Sequence, residues 1–267
     1  LVMRLVPEDK KPQREAELDE RLLATPALAL ERCRTLIADM ASYAMESMRE
    51  SLGAVLACTP KTAEHIREDE ARTDHYEDII GSYLVKLSAR KIGETDSALA
   101  AEYLRLIGDF ERIADHSVNI LESAEELKNK GISFSPAARQ EYQIMSAAVQ
   151  EVTGLAYTAF VTGDIGAARR IEPLEQVIDD LKEELRTRHI RRMQQGTCGI
   201  EAGFIWSDLL TDLERVSDHC SNIACCIVEG IDHNLHRHEV LQSIRENSAS
   251  FDADYAAFRE KYALAVE

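Results

Sequence analysis

Two acids four positions apart, Glu111 and Asp115, sit inside the stretch "DFERIADHSVNI", Asp109 to Ile120. Their copies, Glu214 and Asp218, sit inside "DLERVSDHCSNI", Asp212 to Ile223. Seven of the twelve positions are identical. Upstream of each copy the same spacing recurs, as Glu70 with Asp74 and as Glu175 with Asp179. On a helix this separation puts both carboxylates on one face, about 6 Å apart. Like charges at that distance repel by roughly 2–3 kcal/mol at an effective dielectric of about 20, and far less in open water. A partly buried face of this kind needs a counter-charge. Arg112 and Arg215 are candidates, and a metal ion is another. If the two acid-bearing helices of each copy pack antiparallel, four carboxylates meet, and an all-oxygen set suits Mg²⁺, Mn²⁺ or Fe³⁺ and can hold more than one ion. The competing reading is a solvated acidic surface laced with intrahelical salt bridges. One such acid pair carries little weight; four at matching places favour metal.

His116 and His219 directly follow the second acid of each repeated stretch. Each lies about 100° round the helix from that acid. This favours a hydrogen-bonding role behind the ligands or between helices over direct ligation. Asn119 and Asn222 fall on the same stripe and are assigned interhelical hydrogen bonds.

The elements that must present these groups are helices. The chain of 267 residues carries only 12 Gly and 6 Pro, few aromatics and abundant Ala, Leu, Glu and Arg. Thr25-Pro26 and Ser135-Pro136 pair a capping hydroxyl with a first-turn proline, Thr59-Pro60 marks a restart, and Thr95 or Asp96 and then Asp164 are further capping candidates. Leu106, Phe110, Ile113, Ser117, Ile120, Ala124 and Leu127 step alternately by four and three, as do Leu209, Leu213, Val216, Cys220, Ile223 and Ile227, the seam of a packed bundle. The repeat extends beyond the acids. The third and sixth helices align at an offset of 103 residues, the second and fifth at 105, and the first and fourth weakly, through Met40 with Met145. The expected fold is all-α: two tandem three-helix units, residues 25–131 and 135–232, preceded by a linker at 1–24 and followed by an extra helix within 233–267.

The net charge of −17 argues against a nucleic-acid partner or an anionic membrane surface. The six cysteines form no Cys-x-x-Cys pair and read as reduced, partly buried thiols. His233, His236 and His238 read as surface groups. No uninterrupted apolar run is long enough to cross a bilayer, and no signal peptide is evident.

The repeated "ERIADHSVNI" and "ERVSDHCSNI", each with its upstream acid pair, resemble the PhoU family over residues 25–232. That resemblance implies two three-helix bundles related by a pseudo-twofold. It also implies multinuclear metal clusters, iron or zinc first, with Mg or Mn as alternatives. The ligands it assigns are Glu70, Asp74, Glu111, Asp115, Glu175, Asp179, Glu214 and Asp218; Arg112, His116, Asn119, Arg215, His219 and Asn222 are placed around them by the spacing and charge described above. The family's usual Gly before the second Asp is replaced here by Ala114 and Ser217, both small. "ELDERLLATPALALERCR", Glu17 to Arg34, further resembles the junction at which bacterial sodium-phosphate cotransporters join a PhoU-like domain. With the apolar "LVMRLV" at the start, it implies a regulatory domain on the cytoplasmic side of the cell membrane. A transport domain in the same polypeptide would be its partner, and a homo-oligomer is a further possibility.

A free-standing PhoU-type regulator is the alternative. A ferritin-like di-metal oxidase is a third reading, but that fold uses Glu-x-x-His. None of the eight histidines has Glu three positions before it, and no phosphate loop or nucleophile triad is present, so no enzymatic activity is expected.

Overall fold

The computed structural model describes residues 18–232 and 250–265. The expectations for residues 1–17, 233–249 and 266–267, including those for His233, His236 and His238, lie outside the described residues. The described residues are helical, with no strand among them. In chain order the helices are α1 (Pro26–Ala57), α2 (Pro60–Ser88), α3 (Glu94–Lys130), α4 (Pro136–Thr162), α5 (Ile165–Arg169), α6 (Ile171–Gln194) and α7 (Ile200–Asp232). A last helix, α8, covers 250–261.

The helix boundaries follow the local chemistry in most places. Thr59 accepts from the Thr62 backbone N–H, Ser135 from that of Ala138, and Asp164 from that of Ala167. Gly131 and Gly163 close α3 and α4 with φ of 64° and 69°, a left-handed conformation that costs a β-carbon-bearing residue strain. Three boundaries differ from expectation. Thr25 precedes Pro26 but makes no side-chain cap. The cap of α3 is Gly93, so Thr95 and Asp96 lie inside the first turn, where acids suit the helix dipole. The fifth helix is broken at Arg170, just ahead of Pro173. Pro173 has no N–H to return to the preceding turn, and the chain restarts there as α6.

The helices α1, α2 and α3 pack into one bundle, and α4, α6 and α7 pack into a second. Every residue of the two predicted seams is buried, from Leu106 through Leu127 and from Leu209 through Ile227. The bundles also pack on each other, α3 against α7 and α1 against α4. One hydrophobic cluster runs through both, so the core does not divide at the boundary between the repeats. Phe110 of the first unit meets Phe160 of the second edge-on, with ring centroids 5.5 Å apart. The Tyr142 hydroxyl donates to the Leu52 carbonyl at 2.8 Å, and Arg34 to that of Val161 at 3.1 Å. Burying a ring of this size contributes about 1.5–3 kcal/mol.

Residues 18–24 dock on the first unit rather than trailing from it. Leu23 is buried, and the Tyr83 hydroxyl donates to the Asp19 carbonyl at 3.0 Å. At the other end α8 lies on the second unit. Phe258 and Tyr262 are buried, Lys261 reaches Glu151 at 2.8 Å, and the Tyr255 hydroxyl donates to Asp180 at 2.5 Å. By length and composition α4 alone among the described helices is apolar enough to cross a membrane. Its apolar positions Tyr142, Met145, Val149, Val152 and Ala156 are, however, part of the bundle core. The same helix buries Glu141, which accepts from Arg192 at 2.9 and 2.7 Å.

Candidate metal centre

The packing of α2 on α3 and of α6 on α7 brings each upstream acid pair against the repeated stretch of its own unit. The second unit is the tighter of the two. Glu175 and Asp179 from α6 and Asp218 from α7 each offer an oxygen, and these atoms lie within 4.8 Å of one another. Asp179 Oδ1 is buried and has no hydrogen-bond partner. Burial pushes the Glu175 carboxyl up to about 7, and Asp179, Glu172, Asp218 and Glu214 add to it by repulsion. Burial also raises the carboxyls of Asp179 and Asp218, with Glu214 the largest charge acting on each. These are acids gathered at a cost that protonation or a bound cation would offset. An orphaned buried oxygen facing a set of hard oxygen donors is what a divalent or trivalent cation fits. The fourth predicted ligand, Glu214, stands apart from that group. Lys182 holds it at 2.7 Å, in a pair only about a fifth exposed on each side.

In the first unit the predicted ligands face one another across α2 and α3, but no such close group forms there among the described residues. Burial raises the Glu70 carboxyl, with Asp115 and Asp74 adding to it. Burial pushes Glu111 up to about 7, helped by Asp115 and opposed by Arg112. Asp74 is exposed. Glu77, one turn beyond Asp74, belongs to this face as well: burial and then Asp74 raise its carboxyl, and its charge acts in turn on Glu111. The periodic step from Glu70 through Asp74 to Glu77 was visible in the sequence, but Glu77 breaks the four-residue spacing and was missed. Arg112 and Arg215 are counter-charges as expected. Arg112 lies 3.1 Å from Asp115, and Arg215 lies 3.6 Å from Asp218, both on exposed arms.

The histidines do not enter either acidic face. Nδ1 of His116 lies 2.9 Å from Asp212 of the other unit, and Nδ1 of His219 lies 2.9 Å from Asp109. Asn119 donates to the same oxygen of Asp212 at 3.4 Å, and Asn222 to that of Asp109 at 3.2 Å. The two histidine rings sit 5.7 Å apart. The result is a reciprocal clasp between α3 and α7, in which each repeated stretch supplies one Asp, one His and one Asn. Of the two roles left open for the histidines, behind the ligands or between helices, these bonds are of the second kind, and the two asparagines bond in the same way. Their partners Asp109 and Asp212, the first residue of each stretch, were not singled out, although their identity in both copies was the available signal.

The fold is thus a duplicated all-helical bundle with acids gathered on a face of each half. The PhoU domain family model matches residues 37–124 and 142–227, one match per unit, and the chain belongs to that family. It is 30% identical over 150 residues to the phosphate-specific transport system accessory protein PhoU homolog 1 of Thermotoga maritima. That match covers 56% of this chain and 63% of the relative. It is 25% identical over 244 residues to YjbB of Escherichia coli K12, a protein named for inorganic phosphate export, covering 89% of this chain and 44% of that one. The chain thus spans less than two thirds of the length of either relative. The crystal structure of PhoU from Pseudomonas aeruginosa matches with a TM-score of 0.71 at 22% identity, over 76% of this chain and 97% of that one.

Proposed function

We propose that this chain is a non-enzymatic PhoU-type regulator of phosphate transport that works with metal bound on its acidic faces. The observation that carries the reading is the match of the family model to both units, with the predicted acids on the faces that α2 and α6 form with α3 and α7. Glu175, Asp179 and Asp218 would hold one ion, and Glu70, Asp74, Glu111 and Asp115, with Glu77, would hold ions on the first face. Oxygen-only donors favour iron, manganese or magnesium, and zinc is also compatible with carboxylates. Bound metal would supply positive charge on a protein whose net charge is −17, and so a place to attract phosphate or an acidic partner.

Two forms of this function are open to test. A free-standing regulator is the better supported, because the family model matches both units, the PhoU homolog 1 of T. maritima is 30% identical over 150 residues, and the P. aeruginosa chain is covered almost entirely. A domain attached to a membrane transport protein, at the cytoplasmic side, is the second. The alignment to YjbB favours it, since nearly all of this chain corresponds to less than half of that one. The test is phosphate transport in cells carrying the intact gene, with Glu111, Asp115, Glu214 and Asp218 all changed to Ala. Altered rate or lost feedback by phosphate, at normal protein abundance, is the expected result. Unchanged transport with metal lost would refute a regulatory role for the clusters.

A further inference from the structure

A cavity of about 400 Å³ opens where α6 ends and α4 and α7 begin, and no residue of either acidic face lines it. Its size is that of a small-molecule site. Ile132, Phe134, Ala138 and Ile200 give it an apolar side. The rest of the wall is rich in hydrogen-bond donors. Gly199 opens α7, its carbonyl accepting from the Gly203 N–H at 3.1 Å, and it has no side chain with which to cap the first turn. The N–H groups of Glu201 and Ala202, both on the wall, therefore lack an intrahelical acceptor. At the start of α4 the Ser135 oxygen accepts from the Ala138 N–H, which leaves the hydroxyl proton to donate. Arg192 gives two of its five N–H groups to Glu141, which leaves three. Glu201 is the one acid on the wall; its residue is exposed, and its charge acts on Lys130.

Two buried groups here are short of partners. His189 lines the cavity and is only 6% exposed. Among the described residues the one hydrogen-bonding atom in reach of its ring is the Cys198 sulfur, 3.9 Å from Nδ1 and 4.0 Å from Nε2. A sulfur almost equally far from both nitrogens is aligned with neither, and sulfur is a weak partner. Burial, with Arg192 nearby, lowers the pKa of His189, so the ring is neutral at pH 7 and keeps one donor and one acceptor. Trp206 is 1% exposed, and its indole N–H has no acceptor among the described residues. Its ring packs against Phe134 at 5.1 Å and His189 at 6.1 Å, with the Arg192 guanidinium 6.0 Å above it, and all three of these residues line the cavity. Buried polar groups left without partners cost stability unless something supplies them.

We propose that this cavity binds a small organic oxyanion, a carboxylate or phosphate monoester with an apolar body: its oxygens accept from the first turn of α7, Arg192, Ser135 and His189, and its body lies against Ile132, Phe134, Ala138 and Ile200. An uncapped helix start beside a guanidinium suits the anionic head. Inorganic phosphate has the head without the body and would leave the apolar side in water. The proposal goes beyond the regulator reading and does not depend on metal at the acidic faces.

Trp206 is the single tryptophan of the chain, so its fluorescence reports on this wall alone. The protein is titrated with phenyl phosphate, benzoate, inorganic phosphate and benzyl alcohol. Phenyl phosphate or benzoate should give a saturable change about tenfold tighter than either inorganic phosphate or benzyl alcohol, and the tighter of the two identifies the head group. Cys198 gives a second readout that needs no substitution. The bound probe should slow its alkylation by iodoacetamide, followed by peptide mass spectrometry, while the exposed Cys225, outside this cavity, reacts at an unchanged rate. His189→Phe keeps a ring against Trp206 and removes both nitrogens, and it should weaken binding about tenfold in protein shown by circular dichroism to be folded. The proposal is overturned if inorganic phosphate or benzyl alcohol binds as tightly as the two probes, if neither probe both shifts the fluorescence and protects Cys198, or if a folded His189→Phe binds with unchanged affinity.

Discussion

Stripped of metal, the protein is expected to lose stability as pH rises from about 5 to 8, and Glu175 is the residue on which to measure it. Burial among Asp179, Glu172, Asp218 and Glu214 raises its carboxyl from 4.5 to about 7 in the folded state. The unfolded chain ionises it near the ordinary value. A raised acid of this kind favours folding below its unfolded pKa, and the advantage is lost as pH climbs through the folded one. The full shift corresponds to roughly 3 kcal/mol. Glu175 is only partly buried, and solvent screening leaves about 1–2 kcal/mol. The perturbation is Glu175→Gln, which is neutral at every pH. In chelator the variant should match the unaltered protein at pH 5 and exceed it by about 1–2 kcal/mol at pH 8, or about 3–6 °C in Tm for a chain of this size. The comparison is made between the two proteins because His189 opposes the trend: burial lowers its pKa, so its contribution grows as pH rises toward 6.5. Adding metal should reverse the order, since the unaltered protein then gains about 2.7 kcal/mol at a hundredfold excess over Kd and the variant gains less. Thermal unfolding by circular dichroism at four pH values reads all of this. Equal stability of the two proteins at pH 8 in chelator would refute the account of a strained acidic face.

Three other outcomes follow from the same geometry. Asp115→Ala and Asp218→Ala are each expected to remove metal from their own face and leave the other loaded, as elemental analysis of the two variants will show; loss from both faces with either change would mean that the sites are coupled. Asp109→Ala and Asp212→Ala each leave a His and an Asn of the α3–α7 clasp without their acceptor, at a cost of about 1–3 kcal/mol apiece, and denaturant titration of the double variant should depart from the sum because the two halves of the clasp meet through the His116 and His219 rings, 5.7 Å apart. Glu141→Ala strands the Arg192 guanidinium in the second bundle and should cost about 3–5 kcal/mol, checked by the shift in urea midpoint.

The helices and their faces were legible along the chain because helix periodicity is a local property. The alternating steps from Leu106 to Leu127 state which side of α3 is apolar, and packing then had little choice. The acid pairs were legible for the same reason, since residues four apart share a face whatever the rest of the fold does. Duplication supplied the rest: a matched set of acids in two places marks those positions above the many other acids of a chain with net charge −17. What the sequence did not determine is what each side chain meets across a helix interface. His116 finds its partner 96 residues away in the other unit, and His219 finds its own 110 residues away. Local spacing cannot rank such partners, because they depend on the register of α3 against α7. The same holds for Lys182 and Glu214, which stand on different helices and become an ion pair only when α6 and α7 dock. The fusion of the two bundles into one core was likewise decided in three dimensions, since the apolar stripes of α1, α3, α4 and α7 carry no mark of which unit they will face. Periodicity fixes which face of a helix is buried, and only docking decides what it is buried against.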